Sequence, residues 1–174
     1  MADGKNRADG KNGNGAVDTS NRAPTPVQAQ VLGQYIRDLS FENPNVDKLM
    51  GGPGDNPHIQ LEVNVDAKAV DPKQGVFESS INFHAKATSK IGTIYDLEVV
   101  YAGLFKIQNI PEQAIEPFLL INCPSILFPF LRRLLADITR EGGFPPLLLD
   151  PIDFGGLYMR RQQELAASGG KADA

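Results

Sequence analysis

Residues 122–135 read NCPSILFPFLRRLL. The stretch holds the only cysteine of the chain and two prolines inside its greasiest segment. Three readings compete: a catalytic cysteine, a membrane segment, or a helix built to be covered by protein. From Pro124 onward Ile126, Phe130, Leu134 and Ile138 recur at i, i+4 steps, flanked by Leu127, Leu131 and Leu135. Two such ridges make one wide apolar helix face, with Arg132, Arg133, Asp137 and Arg140 largely elsewhere. Pro124 suits the first turn of this helix, Pro129 predicts a kink or early break, and Gly142-Gly143 stops it. Pro111 opens a shorter helix over 112–121. The apolar run over 118–131 is about 14 residues and is interrupted by Asn122, Ser125 and two prolines, whereas a bilayer span needs about 20. The membrane reading is set aside.

Working outward, the hydrophobic period upstream is that of strands. IQLEVNVDAKA (59–69) alternates without a slip, and FESSINFHAKA (77–87) does the same with one serine on the inner face. A longer strand over 94–107 places Tyr95, Leu97, Val99, Tyr101 and Phe105 on one side. Turn signals at DPKQG (71–75) and KIG (90–92) make these three an antiparallel meander. An earlier strand, about 27–41, sets Val31, Tyr35, Leu39 and Phe41 against Gln34, Asp38, Ser40 and Glu42 on the other face. A long Gly/Pro-rich connection, NPNVDKLMGGPGDNP (43–57), follows it and still carries Val46, Leu49 and Met50. After the helices comes FPPLLLDPIDF (144–154), extended by its prolines, and Asp153 can cap a last helix over 154–167. The expected fold is α+β: a four-stranded antiparallel sheet with helices packed on one face. One sheet face cannot absorb all of these apolar segments, which points to an oligomer interface, a binding groove, or both.

At 174 residues the chain is one domain with tails. Residues 1–23 carry ADGKN twice and hold almost nothing apolar, so a disordered tail is expected there, a folded domain over 24–165, and a flexible tail over 166–174. The N-terminal MADGKNRADGKNGNG has no apolar core of a targeting signal. A net charge of −4 and no basic run longer than two residues demote nucleic-acid binding. A single cysteine makes no internal disulfide, and a reducing cytoplasm is expected.

Catalytic chemistry finds little support. A Cys123 dyad with His58 or His84 is conceivable, but a lone cysteine beside apolar residues is far more often packed. Glu62, Asp66 and Glu78 could ligate a metal, yet no spacing unites them. Gly51-Gly52-Pro53-Gly54 lacks the lysine and serine of a phosphate loop. No enzyme, no cofactor and no metal are expected.

NCPSILFPFLR (122–132), GGFPPLLLDPIDF (142–154), IRDLSFENPN (36–45) and EVVYAGLFKI (98–107) together resemble SecB, the bacterial protein-export chaperone family, over about 26–165. The resemblance implies a homotetramer, a dimer of dimers with helices sandwiched between sheets. It implies ATP-independent holding of unfolded precursor proteins and their delivery to the SecA ATPase, whose zinc-containing C-terminal tail is one docking element. It implies a cytoplasmic protein that neither binds nucleic acid nor inserts in a membrane. A general or toxin-antitoxin-associated holdase without SecA delivery is the alternative. Residue by residue, Asp38, Glu42, Asp96 and Glu98 are the expected SecA surface, although Asp96 stands where the family pattern often has an apolar residue. The client groove is expected at Leu49, Met50, Ile59, Leu61, Phe144, Leu147, Leu149, Leu157, Tyr158 and Met159. The oligomer interface is expected at Leu97, Val99, Tyr101, Ile126, Phe130 and Leu134.

Overall fold

Alternating apolar side chains draw the first half of the chain into four strands: β1 (Gln28–Glu42), β2 (His58–Asp71), β3 (Val76–Ser89) and β4 (Gly92–Gln108). The computed structural model describes residues 26–52 and 57–169. The expected N-terminal tail with its ADGKN repeat, part of the Gly/Pro-rich connection and the last five residues of the chain lie outside the described residues.

The sheet order is β1-β4-β3-β2, antiparallel throughout, so the meander β2-β3-β4 is closed by β1 along the free edge of β4. Its connection to β2 crosses the end of the sheet through a single helical turn, α1 (Val46–Leu49), held where Asn45 Nδ2 donates to the carbonyl of Thr93 at 3.0 Å. The β2–β3 turn depends on Gly75 at φ +69°, because a Cβ there would stand 2.5 Å from the carbonyl oxygen of Ile107.

β1 departs from the expected facing. Register shifts between Val31 and Gly33 and between Ile36 and Asp38 each insert an extra residue. Each bulge reverses the alternation. Tyr35 therefore lies opposite Ala102 on the outer face, whereas Gln34 lies opposite Gly103 on the helix side. After the second shift Leu39 and Phe41 return inward and Asp38, Ser40 and Glu42 outward.

The helical half also differs. α2 (Glu112–Pro117), a π turn (Phe118–Asn122) and α3 (Cys123–Glu141) form one unbroken run of 30 residues instead of two helices parted at Pro124. Its length and a mean hydropathy of 1.6 in its most apolar window are enough to cross a bilayer by those two measures alone. Pro124 is accommodated by the π turn. The Cys123 amide reaches back five residues to Phe118, so the Leu119 carbonyl would next need an amide from Pro124, which has none. The Ser79 hydroxyl of β3, fully buried, donates to that carbonyl at 2.8 Å. The serine on the inner strand face thus has a definite task.

α3 lies over the centre of the sheet. Cys123, Leu127, Leu131 and Leu135 are sealed against Ile81, Phe83, Leu97, Val99 and Phe105. Each such leucine contributes roughly 1.5–3 kcal/mol of burial. The helix ends in a Schellman motif: the Phe144 amide returns to Thr139, the Gly143 amide to Arg140, and Gly143 takes φ +85°. Thr139, fully buried, then ties the next segment down, its Oγ accepting from the Leu147 amide at 2.9 Å and donating to the carbonyls of Leu135 and Ala136. α4 (Phe154–Gly169) begins at Asp153, whose Oδ1 accepts from the Gly156 amide at 2.9 Å. It continues beyond 165, so residues 166–169 are helical where a flexible tail was expected.

Candidate functional site

The two faces of the sheet offer different chemistry. On the outer face β1 and β4 align Ser40 with Glu98 and Glu42 with Asp96, and Asp38 stands one pair further along opposite Val100. The four expected SecA residues therefore share one patch. Asp38, Glu42 and Glu98 are exposed and have no ion-pair partner among the described residues. Asp96 is engaged: His84 Nε2 lies 2.6 Å away and Lys86 Nζ 3.0 Å. The hydrogen bond from Lys86 leads the causes that hold the Asp96 carboxyl below the usual range; burial opposes it, and the His84 hydrogen bond and the charges of Lys86 and His84 add to the lowering. His84, Asp96 and Glu98 bring their ligand atoms within 4.8 Å of one another, while the Lys86 ammonium already supplies a cation there.

Further along the same face Glu78 is 6% exposed. Its carboxylate accepts from Tyr35 Oη at 2.5 Å and pairs with Arg37 at 2.5 Å and Lys68 at 3.2 Å. Burial pushes its pKa up, but the Tyr35 hydrogen bond and the two cations outweigh that and leave it below the ordinary glutamate value. The bulges in β1 make this cluster possible by turning Tyr35 outward. The suggested metal set Glu62, Asp66 and Glu78 is not assembled, since Asp66 instead accepts from Asn82 at 2.6 Å.

The cysteine reading fails on geometry. Cys123 is fully buried on the helix side, His84 lies on the opposite sheet face, and His58 is exposed at the start of β2. Burial pushes the thiol up to about 12.

On the helix side the apolar surplus separates into three parts. The first is buried within the single chain: Leu49, Leu147 and Leu149, expected in the groove, and Leu97, Val99 and Tyr101, expected at an interface. α3 covers the β4 residues within one chain, and the Thr139 anchor turns Leu147 and Leu149 inward. Phe144 is likewise seated in an aromatic row, 5.3 Å from Tyr95, which stacks on Phe41.

The second part is the far ridge of α3. The leucine ridge, not the Ile126–Phe130 ridge, faces the sheet, leaving Ile126 40% and Phe130 48% exposed and Leu134 half-buried. Val31, Ile36 and Leu39 of β1 are also exposed on this side of the sheet. Ile36 and its neighbours could not be assigned to this side from the sequence, because the bulges hide the parity.

The third part is a trough between β2 and α4. Ile59 and Leu61 point to the helix side yet remain exposed; Met50 and Met159 are exposed as well but line neither of its two clefts. Leu61, Val63, Ile152, Leu157 and Arg160 line a cleft of about 600 Å³. A neighbouring cleft of about 640 Å³ shares Val63, Leu157 and Arg160 and adds Tyr158, Arg161 and Glu164. Sequence reasoning found Leu61, Leu157 and Tyr158 but missed Val63, Ile152 and the two arginines. Arg160-Arg161 was visible only as a short basic pair.

A sheet with a mixed-charge outer face, an unburied helix ridge and an apolar trough is a scaffold for protein contacts. Residues 21–165 match the family described as "Preprotein translocase subunit SecB". The chain belongs to the SecB family. It is 43% identical to the protein-export protein SecB of Bradyrhizobium sp. (91% of this chain, 95% of that one). To the SecB of Parvibaculum lavamentivorans it is 46% identical (89% of each chain), and to that of Hyphomonas neptunium 48% (83% and 86%). In fold it is similar to a SecB-like chaperone of Mycobacterium tuberculosis solved with a peptide from an antitoxin, with a TM-score of 0.57, 17% identity, and 71% and 90% of the two chains covered.

Proposed function

We propose that this protein is an ATP-independent chaperone of preprotein export, which holds unfolded precursors in the cytoplasm and delivers them to SecA. The observation that carries the reading is the uncovered apolar trough beside β2, in a chain whose core is already complete without it. An unfolded client displays apolar side chains without a fixed order, and methionines such as Met50 and Met159 re-pack around many sequences. Micromolar affinity needs about 8 kcal/mol after an ordering cost of about 2–5 kcal/mol. At roughly 1.5–3 kcal/mol per buried anchor, four or more anchors are required. Several troughs in a homotetramer supply them by effective concentration. The Ile126–Phe130 ridge and the exposed apolar side chains of β1 support assembly as a dimer of dimers.

The outer patch of Asp38, Glu42 and Glu98 suits SecA, with its zinc-containing tail as one docking element. The test mixes the purified chain with a reduced, aggregating client and, separately, with SecA. The expected result is suppressed aggregation by the wild type and by Asp38→Lys with Glu42→Lys, with SecA binding lost only in the double variant. Unsuppressed aggregation by the wild type, or unchanged SecA affinity of the variant at moderate salt, would contradict it.

A further inference from the structure

The outer face of the sheet carries one block in which side chains of opposite charge meet across β3 and β4. His84 lies directly opposite Glu98, and Lys86 opposite Asp96. His84 also reaches diagonally to Asp96, its Nε2 standing 2.6 Å from Oδ1, while Lys86 Nζ takes the other oxygen, Oδ2, at 3.0 Å. One ligand atom each from His84, Asp96 and Glu98 falls within 4.8 Å of the other two. The sheet fixes this convergence, because residues two apart on paired strands project side by side from the same face. On its other flank the imidazole faces Glu62 of β2. A recess of about 150 Å³ opens beside the ring, with polar lining from Asp38, Glu62, Asn64, Asn82, His84 and Glu98.

The donor set is one imidazole nitrogen and two carboxylate oxygens, beside a recess in which water can complete a coordination shell. Three protein ligands with an open position are the pattern of an accessible zinc site. An imidazole donor favours zinc and its first-row neighbours over magnesium and calcium, which take oxygen ligands. The separation of Nε2 and Oδ1 is that of a hydrogen bond. An ion at about 2.0–2.2 Å from each atom takes the place of the proton between them, and the ring then carries its hydrogen on Nδ1. Lys86 does not block the ion, because it holds Oδ2 and leaves Oδ1 and Glu98 clear. Its ammonium orients the carboxylate but repels a dication, so it lowers the affinity of the site. Glu62 and Asp38 at the recess offset that repulsion.

We propose that His84, Asp96 and Glu98 bind a single zinc ion on the outer face of the sheet, with Lys86 as an outer-shell group on Asp96 and water in the recess completing the coordination. The site lies on the opposite side of the sheet from the apolar trough. It stands whether or not the surrounding patch meets SecA, because all three ligands belong to β3 and β4 of this chain.

The test is isothermal titration of the full chain, first stripped with a chelator, with zinc chloride and separately with magnesium chloride. One zinc ion per chain is expected, and magnesium should give no binding heat at the same concentrations. Cobalt chloride should reproduce the stoichiometry and add visible absorption from its ligand field. The chain has two histidines, so His58→Ala is the control and should bind zinc as the wild type does. His84→Ala and, separately, Glu98→Gln should each weaken zinc at least about ten-fold, since even outer-shell partners are worth about 10–100-fold. Both side chains project from the outer face, and circular dichroism without metal should match the wild type. Lys86→Met should tighten zinc about four- to fifteen-fold, the effect of one unit charge on a dication across about 5 Å with and without salt screening. Wild-type zinc binding no tighter than that of His84→Ala overturns the proposal, as does an equal loss in His58→Ala. Unchanged or weaker binding in Lys86→Met overturns the place given to Lys86 beside the ion.

Discussion

Replacing Phe130 by serine isolates the far ridge of α3 from the core beneath it. Phe130 is 48% exposed in the single chain, while its neighbour Leu131 is sealed against the sheet. A phenylalanine carries about 150–250 Å² of surface, so about 75–125 Å² remains in water for a sister subunit to cover. At about 25 cal/mol per Å² that is about 2–3 kcal/mol per copy. Phe130→Ser should therefore raise the dissociation constant of each such contact roughly 30- to 150-fold. Sedimentation velocity over a dilution series reads this directly. Arg132→Ser, an exposed change two residues away, is the control and should leave the association state unaltered. A Phe130→Ser protein that sediments like the wild type at every concentration would refute the assignment of this ridge to assembly. So would a wild type that is monomeric throughout.

Three further outcomes follow from particular contacts. Glu78 has a folded pKa below its unfolded value, so its contribution to stability is present above about pH 4.3 and is lost as pH falls through the lowered folded value. Glu78→Gln should thus lower the urea midpoint at pH 7, with the gap to wild type narrowing as the pH falls below the ordinary glutamate range; a gap that does not change with pH would contradict the cluster. The Cys123 thiol, pushed up to about 12 by burial, should resist alkylation at neutral pH in the native protein and react once urea unfolds it. Gly75→Ala should destabilise by about 1–3 kcal/mol in thermal or urea melts, since the turn requires positive φ and a Cβ would meet the Ile107 carbonyl; an unchanged midpoint would show the turn relaxes freely.

The strands of the meander were legible because alternation over 59–69 and 77–87 runs without interruption, and a half-buried strand permits no other pattern. β1 was legible as a strand but not in its facing. A bulge adds one residue without any compositional mark, and two of them within seven residues of sequence exchanged Tyr35 and Gln34 between faces. The helix ending at Gly142-Gly143 was visible from the glycines, as was the Asp153 cap, because both are local backbone demands. Continuity through Pro124 was not, since it depends on a π turn and on Ser79 from a distant strand. The candidate site divides in the same way. The outer carboxylates follow from strand parity once the register is known. The division of the apolar residues between core and trough does not, because Leu147 and Leu149 differ from Leu61 only in what the Thr139 anchor and α3 place around them.

The central claim is that the trough beside β2 grips unfolded polypeptide. Light scattering of a reduced, aggregating client, with wild-type chain and with a Leu61→Asp variant, tests it most directly. The substitution falls on an exposed side chain, so circular dichroism should show the fold intact. The account predicts that the wild type keeps the client soluble and that the variant loses most of this ability. A folded variant that protects the client as well as the wild type does would contradict it.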